Sequence, residues 1–285
     1  MAPLPVRDEG SGRVTILICN DDGVQSEGLH SLREGLIGAG YRTVAVAPHE
    51  PRSGTSRSAT FRRPVTYWQV GGTDENPVYA CDGTPVDCVR VALMSDLVPD
   101  ARLVISGINE GANLGDDATY SSTVGAAIEG ALFGLPAIST SQQSTDGLFR
   151  LVDLSGYDWR PSVESTVWLA GRVLERGMPP RTVLNLNAPG VPADSMRMKV
   201  TRLGHRTWRR RSLQVETNDH GTGYFLFDVN SPGHHPYEEA EGTDFAALAA
   251  GHVSVSPLSV HWADGLAGTG WIEDLGLDDF APVGD

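Results

Sequence analysis

Val14-Thr15-Ile16-Leu17-Ile18-Cys19-Asn20-Asp21-Asp22-Gly23 decides how this chain reads. Its first six residues form an apolar, β-branched run with no charge, the composition of a buried strand. The run then ends in one amide, two carboxylates and a glycine. Adjacent side chains of an extended strand point to opposite faces, so neighbouring aspartates serve one ion only where the backbone turns; Gly23 permits that turn. Leu29, Leu32 and Leu36 follow at i, i+3, i+7, which is helix spacing. A second β-type run at 43–47 stops at Pro48.

The alternation continues. Residues 61–70 and 78–80 read as a hairpin around a Gly/Asp/Asn/Pro turn, and 86–97 as a helix with Pro85 in its first turn. A strand at 103–106 leads into a Gly/Asn-rich loop over 107–120, then a small-residue helix at 123–133 and a strand at 137–140. Residues 142–160 are polar and irregular, 162–175 a helix and 182–186 a strand. This order predicts an α/β fold: a three-layer, doubly wound, mostly parallel, Rossmann-like sheet. Right-handed crossovers place the strand-to-helix loops along one edge, where ligands bind. Beyond about residue 188 the pattern is more β-like, at 196–203, 224–229 and 253–255. The expected organisation is an N-terminal extension at 1–13 and one domain at 14–262, comprising a core to about 187 and a β-rich extension at 188–262. An acidic tail follows at 263–285; its last 15 residues carry five acids and no base.

Composition narrows the function. The 285 residues carry a net charge of −14, which disfavours a nucleic-acid duplex as partner. A small anionic substrate would need locally supplied positive charge. No apolar run approaches a membrane span, and no secretory leader precedes residue 13. Three cysteines, Cys19, Cys81 and Cys88, lack metal-type spacing and an even count, so the expectation is a cytoplasmic protein without a disulfide framework. The single lysine, Lys199, stands outside any Gly-Lys-Ser/Thr loop, which excludes a P-loop NTPase.

Four loops on the presumed ligand edge carry chemistry. Asp21 and Asp22 suit a hard cation, Mg²⁺ or Mn²⁺, although Asp-Gly alone is also common turn chemistry. Arg52-Ser53-Gly54-Thr55-Ser56 groups hydroxyls around a glycine; taken in isolation it reads first as a solvated turn. The loop from Ser106 to Gly115 offers the amide oxygens of Asn109 and Asn113. Ser121, Ser122 and Thr123 open a helix whose free N–H groups suit phosphate, and also serve as ordinary caps. Asp82-Gly83-Thr84-Pro85-Val86-Asp87 reads as capping. Together these loops describe a metal-dependent site for a phosphate-like ligand.

In their order, Asn20-Asp21-Asp22-Gly23, Arg52-Ser53-Gly54, Gly83-Thr84-Pro85, Asp87-Cys88-Val89, Ser106-Gly107-Ile108-Asn109 and Asn113-Leu114-Gly115-Asp116-Asp117 resemble the SurE survival-protein nucleotidases. Tyr120-Ser121, Thr123, Thr243-Asp244 and Val253-Ser254-Val255 add to the resemblance, which is dense over 14–140 and thinner over 181–260. It implies a metal-dependent phosphomonoesterase acting on nucleoside 5′- and 3′-monophosphates. By that resemblance Asp21, Asp22, Ser53 and Asn109 are metal ligands, Asp21 and Asp22 are catalytic, and Asn113, Ser121, Thr123 and Gly54 hold phosphate. It also implies a homodimer or homotetramer, assembled partly through an exchanged C-terminal segment. Two carboxylates nearly neutralise a divalent ion and leave positions open for water and phosphate; Asp21 is the first candidate to steer the attacking water.

Ser122 stands where the family usually has glycine. Its side chain is expected to face the ligand, narrowing the pocket and adding one hydrogen bond. The stretch from His205 to Arg211, with Arg206, Arg209, Arg210 and Arg211, reads as a solvated arm or a partner contact. His234-His235 reads as a loop. Two relatives in chemistry remain: a SurE-derived phosphatase for a sugar or secondary-metabolite phosphate, and a non-catalytic nucleotide-binding module. A haloacid-dehalogenase phosphatase needs Asp-x-Asp, which Asp21-Asp22-Gly23 does not supply.

Overall fold

The computed structural model describes residues 12–149, 156–207, 214–225 and 237–260. Nine strands form one mixed sheet in the order β3-β4-β2-β1-β5-β6-β7-β11-β8. They are β1 Thr15–Cys19, β2 Arg42–Pro48, β3 Tyr67–Gly72, β4 Pro77–Cys81, β5 Ala101–Glu110, β6 Ala137–Gln142, β7 Thr182–Ala188, β8 Met198–Val200 and β11 Val253–Ser259. Strands β4, β2, β1, β5, β6 and β7 run parallel; β3 and β11 run antiparallel to their neighbours β4 and β7. A separate hairpin pairs β9 Gln214–Asn218 with β10 Gly221–Phe225. The sheet is the predicted α/β arrangement, with antiparallel strands added at both ends.

Period-two alternation along the strands sorts the core into two layers. Ile16, Ile18, Ala45, Ala47, Leu103 and Ile105 pack on one face against Leu29, Leu32 and Leu36 of α1 (Glu27–Gly38) and Leu169 and Val173 of α4 (Arg160–Arg176). Leu17, Cys19, Val44, Val46 and Val104 pack on the other against Val89 and Ala92 of α2 (Pro85–Met94) and Ala126 and Ala131 of α3 (Ser122–Leu132). Each fully buried leucine of α1 is worth roughly 1.5–3 kcal/mol of transfer free energy. Cys19, Cys81 and Cys88 are buried free thiols in the second layer. No described helix is long and apolar enough to cross a membrane.

The chain leaves β1 through α1 to β2 on one side, and later returns through α2 to β5 on the other. The carboxyl ends of β1 and β5 therefore flank the point where the winding reverses, the ligand crevice of such sheets.

Several boundaries differ from the sequence expectation. The first hairpin strand begins at Tyr67, not residue 61, and α2 ends at Met94. Strand β5 runs on through Gly107 and Ile108 to Glu110, where a Gly/Asn loop was expected; its pairing with β6 shifts register between Ser106 and Asn109. The extra length keeps Asn109 on the sheet edge. Within the supposed 107–120 loop, Gly115–Thr119 forms a 3-10 turn. Strand β6 continues through polar Ser141 and Gln142, and α4 starts at Arg160 inside the stretch read as irregular. The β-type run at 196–203 contracts to β8, and β11 extends to Ser259. Helix α5 (Asp244–Ala249) is capped by Thr243, whose hydroxyl accepts from Ala246 N–H. The 1–11 extension, His234-His235, Arg209–Arg211 and the 263–285 tail lie outside the described residues, as do 226–229 of the expected late strand.

Candidate metal and phosphate site

Asn20 organises the turn after β1. Its Nδ2 donates to the Gly23 carbonyl at 3.1 Å and to Ser26 Oγ at 2.6 Å. Ser26 caps α1, accepting from the Leu29 N–H, so one amide ties the acidic turn to the following helix. Gly23 takes φ +97°, the left-handed conformation the turn requires. Asp21 is buried and Asp22 half-buried.

The carboxylate of Asp21 meets helix α3. The Thr123 hydroxyl bonds to Asp21 Oδ1 and lies 3.1 Å from Asn109 Oδ1. The Asn109 amide nitrogen is turned away, donating to the Gly111 carbonyl at 2.7 Å. Three oxygens thus converge with one hydroxyl proton among them. Asp22 Oδ2 accepts from the Glu110 N–H at 3.1 Å, which ties the β1 turn to the end of β5. Burial raises the Asp21 pKa, against hydrogen bonds from Thr123. Burial, then the adjacent Asp21 charge, pushes Asp22 up to about 8.

This oxygen set fits a hard cation. Asn20 Oδ1 is buried without a partner, and the convergence on Thr123 holds more acceptors than protons. Among the described residues no cluster of three His, Cys, Asp or Glu gathers, so an ion here rests on two carboxylates plus neutral oxygens.

The loop after β2 is tied to the acidic turn. The Arg52 N–H donates to the Asp21 carbonyl at 2.7 Å, while Arg52 Nε is buried without a partner. Ser53 and Gly54 are exposed at the tip, Gly54 at φ +71°. Ser121 is the N-cap of α3, its Oγ accepting from the Val124 N–H at 3.1 Å. Ser122 is placed otherwise than expected. Its side chain is fully buried, and its Oγ accepts from Thr55 N–H at 2.9 Å and reaches the Arg52 carbonyl at 3.1 Å. The hydroxyl is engaged by the 52–55 loop and also hydrogen-bonds the Asp21 carboxylate.

Asn113 is held from behind. Its N–H donates to Asn187 Oδ1 at 2.8 Å, its carbonyl accepts from Asn185 Nδ2 at 2.9 Å, and its own Nδ2 donates to Ser141 Oγ at 2.9 Å. Asn185, Asn187 and Ser141 were missed in the sequence. The available signal was the polar run Ser139–Gln142 of β6 and the alternate Asn185 and Asn187 of β7, where burial would otherwise select aliphatics.

Arg206 also departs from expectation. It is buried, with Nε 2.9 Å and 2.7 Å from the two Asp117 oxygens and a further bond from its Nη2, so it is no solvated arm. Burial pushes the Asp117 pKa up, while the Arg206 guanidinium pulls it down. Asp244 accepts from the N–H groups of Gly115 at 2.7 Å and Gly204 at 2.8 Å. Asp87 does what the capping reading predicts. It completes a capping box with Thr84 and accepts two bonds from Thr60.

A family model described as "Survival protein SurE" matches residues 16–210. The chain belongs to the SurE family. A "5'-nucleotidase SurE" of Rubrobacter xylanophilus is 38% identical over 253 residues, covering 87% of this chain and 92% of the relative. One of the same description from Chloroflexus aggregans is 39% identical, covering 91% and 97%. The SurE protein from Aquifex aeolicus, known by crystal structure, aligns with a TM-score of 0.73 at 32% identity, over 91% of this chain and all of that one. The SurE sheet thus carries Asp21, Asp22 and Asn109 on two strand ends and Thr123 on the helix facing them.

Proposed function

We propose that this chain is a divalent-metal-dependent phosphomonoesterase that hydrolyses nucleoside 5′-monophosphates, and 3′-monophosphates as well. The observation that carries it is the convergence of Asp21 Oδ1, Asn109 Oδ1 and Thr123 Oγ1, with Asp22 beside them, at the sheet's reversal point. Membership of a family whose named relatives are 5′-nucleotidases supports the substrate class.

Asp21, Asp22, Ser53 and Asn109 would hold Mg²⁺ or Mn²⁺. The ion supplies Lewis-acid polarisation of the phosphoryl group and acidifies water. Around it, the Thr123 hydroxyl and N–H and the Ser122 hydroxyl hold Asp21 in place, and Asp21 would orient and deprotonate the attacking water. The first-turn N–H of α3, Ser121 and the Asn113 amide would receive the phosphate, with Gly54 letting backbone approach it. The partly unpaired Arg52 guanidinium provides local positive charge in an acidic chain. Assembly as a homodimer or homotetramer belongs to the same proposal, checked by light scattering against the 30.4 kDa chain mass.

The deciding experiment is a phosphatase screen over nucleoside 5′- and 3′-monophosphates, sugar phosphates and p-nitrophenyl phosphate, with Mg²⁺, Mn²⁺ or EDTA. Nucleotide turnover abolished by EDTA and restored by metal supports the reading. Full turnover in excess EDTA refutes the metal role, and preference for sugar phosphates refutes the substrate.

A further inference from the structure

We infer that Ser122 is a positioning residue for the metal site: its buried hydroxyl clamps the backbone on both sides of Ser53-Gly54. This rests on the proposed role of Ser53 as a metal ligand.

The loop from Arg52 to Arg57 is fastened at nearly every residue except its tip. Arg52 N–H donates to the Asp21 carbonyl, and the Arg52 carbonyl is reached by Ser122 Oγ at 3.1 Å and by Thr55 Oγ1 at 2.9 Å. The Thr55 N–H donates to Ser122 Oγ at 2.9 Å, and the two hydroxyls lie 2.9 Å apart. Ser56 donates through its N–H to the Tyr120 carbonyl at 3.1 Å and through Oγ to the Thr119 carbonyl at 2.8 Å. Arg57 pairs with buried Glu129 of α3 at 3.3 Å. Between these anchors only Ser53 and Gly54 face solvent, and neither has a side-chain hydrogen bond among those described. Ser56 holds φ +51°, a left-handed conformation that costs energy for a residue with a Cβ and persists because the anchors over-determine it.

The hydroxyl of Ser122 therefore replaces two contacts at once. It satisfies the N–H that follows the tip and the carbonyl that precedes it. Glycine at this helix position would leave that N–H and part of that carbonyl to water, and the tip would sample more conformations. A loop ordered before the ion arrives loses less entropy on binding. The consequence of serine here is tighter metal binding, with no contact to the substrate.

The test is direct Mn²⁺ titration of the metal-free protein, following free Mn²⁺ by electron paramagnetic resonance. This readout needs no turnover. Ser122→Ala and Ser122→Gly should each raise the Mn²⁺ Kd about tenfold, the low end of what hydrogen bonds supporting metal ligands contribute. Thr55→Val, which removes only Thr55 Oγ1, should raise it less. The double variant should raise it beyond Ser122→Ala alone, because Thr55 Oγ1 holds the Arg52 carbonyl through a bond of its own. An unchanged Mn²⁺ Kd in Ser122→Ala overturns the clamp, as does a change confined to nucleotide KM, which would place the hydroxyl on the substrate. Ser122 also bonds Asp21 directly and Thr55 does not, so an unchanged Kd in Thr55→Val overturns the clamp, whether or not Ser122→Ala folds, and a raised one supports it. Wild-type protein that binds no Mn²⁺ overturns the metal reading itself, and the clamp with it.

Discussion

At the scale of single residues, the two carboxylates after β1 stand next to each other, Asp21 buried and Asp22 half-buried. Asp21→Asn and Asp22→Asn should each lower kcat/KM for a nucleotide at least ~100-fold, since each removes one of the two negative charges that would hold the ion. Circular dichroism should show the fold retained, because amides keep the shape and lose only charge. The same pair makes the metal-free protein pH-sensitive in a stated direction. Both pKa values are raised in the folded state, Asp22 to about 8, so the folded chain binds protons more tightly than the unfolded one. This contribution is fully favourable below the ordinary carboxylate pKa and is lost as pH rises towards 8. Bound metal removes the penalty by accepting the charge. The Mg²⁺-induced rise in Tm should therefore grow from pH 5 to pH 8, and Asp22→Asn should flatten that growth. A rise independent of pH would show that the ion binds elsewhere.

At the scale of elements, α3 is where sequence and function meet. Its small residues let it approach both the sheet and the 52–57 loop. A Cβ on Gly125 would stand 2.5 Å from the Ser56 carbonyl oxygen. Gly125→Ala gains helix propensity, about 1 kcal/mol, yet must displace the loop that carries Ser53. The expected result is a Tm within a few degrees of wild type with kcat/KM down by roughly tenfold. Equal kcat/KM in both proteins would show that the loop moves without cost. The small-residue pattern of α3 was legible in the sequence, and so was the cap at Ser121. What the helix packs against was not, because glycine at a helix position records close approach without naming the neighbour. Likewise Asn109 read as a loop residue, since Ser106-Gly107-Ile108-Asn109 contains a glycine that β5 absorbs as a register shift.

At the scale of the whole molecule, the last third is bound to the site from outside the sheet. Arg206 on the segment after β8 is buried against Asp117 of the 3-10 turn, and Asp244 of α5 holds Gly115 and Gly204 together. Phe245 and Tyr237 stack at 4.6 Å beside them. Arg206→Ala would leave Asp117 buried and unpaired, which costs about 3–5 kcal/mol. Urea unfolding should show that loss. Adding Asp117→Asn should recover part of it, because the stranded charge is then gone. A stability change below ~0.5 kcal/mol in Arg206→Ala would place the pair among exposed ion pairs.

The sequence alone determined the features written in consecutive residues. Buried strands, amphipathic helices, the acidic turn at Asn20-Asp21-Asp22-Gly23 and the parallel α/β order all follow from local apolar period and turn chemistry. The site edge followed too, because a doubly wound sheet leaves one place for its ligands. Tertiary structure alone decided which way side chains with several possible partners turn. Ser122 could face a ligand or a loop, and its loop partner Thr55 lies 67 residues away along the chain. Arg206 could meet water or a carboxylate, and Asp117 is 89 residues distant. Asn113 takes its register from Asn185 and Asn187 on another strand. A hydrogen bond spends its energy on whichever group the fold brings within about 3 Å. That proximity is a property of chain packing, which no local pattern encodes.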